Sequence, residues 1–159
     1  MRASLLTLLA VFVLLDASAS RAEEAAKRTW RLTAEESEHR LVYGTDNDED
    51  MPIIFFCKSG SGTVDITVSE TGKGVKAGRA MTASLTAGGT TSKVRGKTMP
   101  NEDAGTPSFV GTLPARDALF AALAKERALV ILVGPSRDQI PLRDLGDKAE
   151  QFSRACQKK

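Results

Sequence analysis

Side chains suited to chemistry are scarce in this chain: two cysteines, Cys57 and Cys156, and one histidine, His39, in 159 residues. Metal sites built on sulfur and imidazole need ligands at close spacing, such as C-x-x-C, and no such pair occurs. A nucleophilic thiol needs a histidine partner. His39 lies between Glu38 and Arg40 in a polar stretch, and nothing in the order of residues sets it beside either cysteine. Two lone cysteines in an oxidising compartment usually pair. Closing a loop of ~100 residues is worth about 4.7 kcal/mol in the chain-entropy model. The expected arrangement is a structural disulfide, Cys57–Cys156, tying a central strand to a C-terminal helix. A free thiol and an intermolecular bridge are the alternatives.

Other motifs fall short of known chemistry. Ser61 stands in Ser-Gly-Ser-Gly, which is not the order of a nucleophile elbow. Gly72-Lys73-Gly74 and Gly88-Gly89 do not form a phosphate-cradling loop. In Asp46-Asn47-Asp48-Glu49-Asp50, Asp46, Asp48 and Asp50 alternate like the first half of an oxygen-ligand calcium loop. The sixth position is Met51 instead of Gly and the twelfth is Cys57 instead of Glu, so this is a candidate for weak calcium binding only, against a solvated acidic turn. Those three carboxylates are also candidates for general acid–base work in an enzyme reading of the chain. Lys93, Arg95 and Lys97 recur every second residue and would share one face of a strand, with Lys73, Lys76 and Arg79 just before. They form a candidate basic patch for an anionic surface, such as lipopolysaccharide, or an acidic partner. A solvated sheet face, or an edge protected by charge, is the alternative.

Composition sets the frame for these residues. Hydrophobic residues make up 42% and charged residues 26%, which excludes collagen, a disordered tail and a disulfide-dense miniprotein. A net charge of +2 and few aromatic residues argue against a nucleic-acid binder. Arg2 followed by the apolar run Leu5 to Leu15 is too short to span a bilayer and fits a secretory leader. Small residues follow at Ala17-Ser18-Ala19 and Ser20-Arg21-Ala22, and cleavage after Ala22 is preferred, leaving 23–159 as a single β-rich domain. No later segment is apolar enough to span a bilayer. The expected product is periplasmic or secreted, without stable membrane insertion.

The elements that must position these residues are mostly strands. Period-two alternation marks Trp30 to Thr33, Thr63 to Ser69, Met81 to Thr86, Lys93 to Thr98 and Phe109 to Leu113, with a short strand at Leu41 to Tyr43. Glu35, Glu36 and Glu38 form an exposed turn or short helical segment. The apolar runs Ile53–Cys57 and Leu129–Val133 read as buried strands, and Gln139 to Leu142 as a short extended piece. Ala115 to Glu126, with Pro114 near its first turn, predicts a helix. Asp144 would cap a final helix carrying Leu145, Ala149, Phe152 and Cys156 on one face. The expected fold is α+β: a mostly antiparallel sheet, sandwich-like or barrel-like, with two short helices near the C-terminus. Trp30 and the Phe55-Phe56 run would anchor its core.

Ile140-Pro141-Leu142, then Leu145-Gly146, Ala149 and Cys156, resembles the closing segment of the invasion-associated locus B family, small secreted β-rich proteins of alphaproteobacteria. Trp30, Tyr43-Gly44 and Phe56-Cys57 follow a layout similar to that of small periplasmic proteins of such bacteria, and the resemblance spans roughly residues 30–156. The chain differs in having only two cysteines and an acidic loop before Cys57. The resemblance implies a non-enzymatic role in the envelope or at a host surface, with no catalytic residue to carry over. Phe-x-Cys followed by Thr-Val-x-Ile-x-Val also loosely resembles small periplasmic lysozyme inhibitors. The expectation is a binding module that is not an enzyme, takes no cofactor and no nucleic acid, and has an envelope or host protein as partner. Inhibition of an envelope-attacking hydrolase such as lysozyme is the second reading.

Overall fold

The structure is a computed structural model that describes residues 28–46, 50–102 and 104–158. The leader read at residues 1–22, the start of the chain read after it and Asp48 lie outside the described residues. Nine strands run in chain order as β1 (Thr29–Glu35), β2 (Glu38–Gly44), β3 (Ile53–Lys58), β4 (Thr63–Val68), β5 (Ala80–Ala87), β6 (Thr90–Met99), β7 (Ser108–Pro114), β8 (Ala128–Val133) and β9 (Ser136–Pro141). Helix α1 (Ala118–Leu123) sits between β7 and β8, and α2 (Lys148–Cys156) follows β9. All nine strands join one sheet in the order β1-β2-β3-β4-β7-β6-β5-β8-β9, antiparallel throughout. The α+β, mostly antiparallel, barrel-like expectation holds: the sheet curls into a half-barrel. Of the two helices, only α2 lies near the C-terminus.

Alternation decides which side chains go inside. In β3 and β4, Ile53, Phe55 and Cys57 and then Val64, Ile66 and Val68 are buried, while the residues between them face out. Burying such an apolar side chain is worth about 1.5–3 kcal/mol. Phe55 is the hub of the interior, with ring centroids of Trp30, Phe120 and Phe152 at 6.3, 5.9 and 6.5 Å. Phe120 on α1 and Phe152 on α2 are themselves 6.0 Å apart, so both helices plug the concave side through one aromatic cluster. Phe56 departs from the expected core role: one residue out of phase with Phe55, it faces outward and is half-buried.

Strands β6 and β7 approach each other unusually closely at one point. Gly96 and Gly111 are register partners, and the ring of Phe109 lies against both. A Cβ on Gly96 would lie 2.1 Å from the Val110 carbonyl oxygen and 2.7 Å from Phe109 Cζ; one on Gly111 would lie 2.6 Å from Val94 Cγ1. Two facing glycines permit this close approach, and the aromatic ring fills the space the missing side chains leave.

The helix starts differ from the expected ones for local reasons. Pro114 closes β7, paired with Thr63, and does not open a helix. Helix α1 begins only at Ala118, because Asp117 caps it: its Oδ1 accepts from Leu119 N at 2.9 Å and from the Ser92 hydroxyl of β6. Asp144 does not cap α2, which starts after Asp147. Its Oδ2 instead accepts from the Trp30 backbone N–H at 2.9 Å, and the Trp30 indole N–H donates to the Pro141 carbonyl at 2.8 Å. These two bonds draw edge strand β1 to the end of edge strand β9. At the start of the sheet, Glu35 and Glu38 are the closing pair of the β1–β2 hairpin, with Glu36 at φ 51° in the turn.

Cys57 of β3 and Cys156 of α2 form the disulfide, with Cα atoms 5.8 Å apart. Gly60 and Gly62 in the turn after β3 reinforce it: their N–H groups donate to the carbonyls of Ala155 (2.9 Å) and Cys156 (2.8 Å). The Ser153 hydroxyl donates to the Ala115 carbonyl at 2.8 Å, fixing the same helix to the segment before α1.

Candidate functional site

Both helices occupy the concave side, which leaves the convex side of the sheet uncovered by them. Lys93, Arg95 and Lys97 are exposed at alternate positions of β6, between the buried Ser92, Val94 and Thr98. Strand geometry spaces successive cations by roughly 6.8 Å. Their neighbours on β5 are small: Ser84 beside Lys93, Thr82 beside Arg95 and Ala80 beside Lys97. Lys93 Nζ donates to Ser84 Oγ at 2.6 Å, which lays that side chain over β5. Across the sheet the row continues from Ser84 to Leu132 of β8 and Arg137 of β9. Arg137 is a fourth exposed cation on this side.

The connection before β5 is fastened to the end of β6 through the buried Thr98. The Thr98 hydroxyl donates to the Lys76 carbonyl at 2.7 Å and accepts from Arg79 N at 2.9 Å, while Thr98 N donates to the Arg79 carbonyl. Lys76 and Arg79, both exposed, are thereby stitched to the end of β6 that carries Lys97. The outward positions of β7, β6, β5, β8 and β9 hold Lys93, Arg95, Lys97 and Arg137 and no carboxylate. Among the described residues none of these four cations is in an ion pair.

The other half of the convex face is mixed in sign and self-compensating. The Arg40 guanidinium lies 5.8 Å from the centroid of the Phe56 ring and 4.0 Å from Glu38. Asp65 of β4 accepts from the Thr112 hydroxyl at 2.9 Å. Val42 and Ile54 fill the space between, opposite each other across β2 and β3.

The acidic loop engages arginines. Arg28 Nη2 is 2.6 Å from Asp50 Oδ2, and Arg31 Nη1 is 3.4 Å from Asp46 Oδ1 while also donating to the Gly44 and Thr45 carbonyls. The Asp46 side chain is 93% exposed. Among the described residues, no three His, Cys, Asp or Glu side chains gather as a metal set would. Near this loop, burial raises the Tyr43 hydroxyl above its usual value of 10.0, opposed by the nearby charges of Arg28 and Arg143.

His39 is placed in a way its sequence context conceals. It pairs in register with Cys57, and its Nε2 shares a 2.8 Å hydrogen bond with Ser59 Oγ. The amides around that serine are already committed: Ser59 N donates to Ser37, Ser61 N to Lys58, and the Gly60 and Gly62 amides to α2. The contact therefore buttresses the disulfide-bearing hairpin. Sequence reasoning missed Arg137 and Leu132 as members of the basic face. Only the β5–β8 and β8–β9 registers bring residues some forty positions away beside Lys93. Comparison of the chain with models of protein families, with curated proteins and with solved structures finds no match.

Proposed function

We propose that this chain is a non-catalytic exported module that binds a partner in the bacterial envelope, in the periplasm or outside the cell, through the convex side of β7-β6-β5-β8-β9. One observation carries the reading: Lys93, Arg95, Lys97 and Arg137 stand on outward positions without a carboxylate among them, while both helices pack on the opposite side. An unpaired set of like charges is costly to gather unless something of opposite sign meets it. A disulfide holding the last helix fits an oxidising compartment, and the apolar run after Arg2 fits a leader. The resemblance to the invasion-associated locus B family points the same way.

The test is retention on an envelope fraction. The full chain is expressed in an export-competent bacterium, and the exported product is purified and mixed with membranes and envelope proteins. The wild type is expected to be retained, and the variant with Lys93, Arg95 and Lys97 all changed to Glu is expected to be released. Equal retention of both would overturn the assignment of this face.

A further inference from the structure

We propose that the basic half of the convex face rests on the headgroups of an anionic phospholipid bilayer, so that the module is a peripheral membrane binder. The inference deepens the binding reading above and rests on it. The first support is the charge set just described, spread along β6 and across three strand spacings to β9, about 14 Å.

The second support is independent of charge. Among the described residues the exposed large hydrophobic side chains are Met99, at 38% exposure, and Leu132, at 37%. Both belong to this face: Met99 follows Lys97 on the outward phase of β6, and Leu132 lies between Ser84 and Arg137. Flexible apolar side chains flanking cations suit a headgroup layer, where the cations meet phosphate and the apolar tips reach the acyl boundary.

What the face lacks in its own outward strand positions discriminates further. They carry no Phe, Tyr or Trp. Protein interfaces take much of their energy from aromatic anchors, and single-stranded nucleic acids stack on them. A floor of Thr82, Ser84, Thr86, Thr91 and Thr112 offers short hydroxyls instead. Association stays at the surface, since among the described residues no helix is long and apolar enough to cross a membrane.

The experiment is co-sedimentation of the exported protein with vesicles of phosphatidylcholine alone and of phosphatidylcholine mixed with phosphatidylglycerol, at ~0.15 M salt and at ~1 M salt, where the screening length falls to about 3 Å. The expected result is binding to the mixed vesicles only, lost at high salt. Changing Lys93, Arg95 and Lys97 together to Glu should weaken it by on the order of a hundredfold or more. Leu132→Asp should weaken it several-fold, and the helix-side control Lys125→Glu less than twofold. If the triple variant does not fold, Lys97→Glu alone and the salt titration decide. No sedimentation with mixed vesicles, equal sedimentation with both kinds, or an unaffected charge variant overturns the proposal. If vesicles fail but an envelope protein fraction retains the wild type and releases the variant, the membrane inference falls and the binding reading stands. If the wild type is retained by neither, both fall.

Discussion

Gly96 and Gly111 show how much one pair of residues decides. Their facing positions allow the close approach of β6, β7 and the Phe109 ring, and a methyl group on Gly96 would meet the Val110 carbonyl and the Gly111 backbone. Gly96→Ala is expected to lower stability by about 3 kcal/mol, in the range of overpacking substitutions, read as a shift in denaturant midpoint. In the sequence both glycines are inconspicuous: each sits mid-strand, where a glycine signals only weakness or a bulge, and nothing pairs position 96 with 111 until the register is known. Tyr43, the one tyrosine, offers a second test. With its folded value raised above 10.0 by burial, its contribution to stability is full below about pH 10 and is lost as pH rises through the higher folded value. Tyrosinate absorbance should therefore develop at higher pH in the native protein than in the denatured one; coincident titrations would contradict this.

At the scale of elements, the strands were legible because their alternation is strong: Val64, Ile66 and Val68 need only be counted in twos. The helices were less so. Residues 115–126 are rich in alanine and leucine throughout, but Pro114 is held in β7 by Thr63 and the helix can begin only where Asp117 supplies its cap. Asp117→Ala removes both the cap and the acceptor for Ser92, so a loss of about 2 kcal/mol is expected, at the upper end for a cap; Asp117→Asn should restore part of it. The Cys57–Cys156 pairing was legible from composition alone, because two cysteines leave one intramolecular pairing. Changing both to Ser should cost about 2–4 kcal/mol. Protection of the α2 amides against hydrogen exchange should fall before that of β3, since the strand keeps both its neighbours.

For the whole molecule, the sheet separates two kinds of surface: a mixed-sign half at β1–β4 and a cationic half at β5–β9. The candidate triad Lys93, Arg95 and Lys97 was visible in the sequence as a period of two. Arg137 and Leu132 were not, because β8 and β9 follow a helix in the chain yet return to lie beside β5. Mass spectrometry of the exported product should show a chain lacking residues 1–22; an intact N-terminus would contradict the leader.

The two hydrogen bonds from Trp30 have a temporal meaning. The Trp30 backbone and indole N–H groups find their acceptors at Asp144 and Pro141, 114 and 111 residues later, and Cys57 finds its partner only at Cys156. The seam between the two edge strands therefore cannot close until nearly all of the chain is present. A copy truncated before residue 141 lacks the contacts that draw its two edge strands together. Trp30, the one tryptophan, lies at that seam, so its fluorescence should change last in refolding and would time the completion of the molecule.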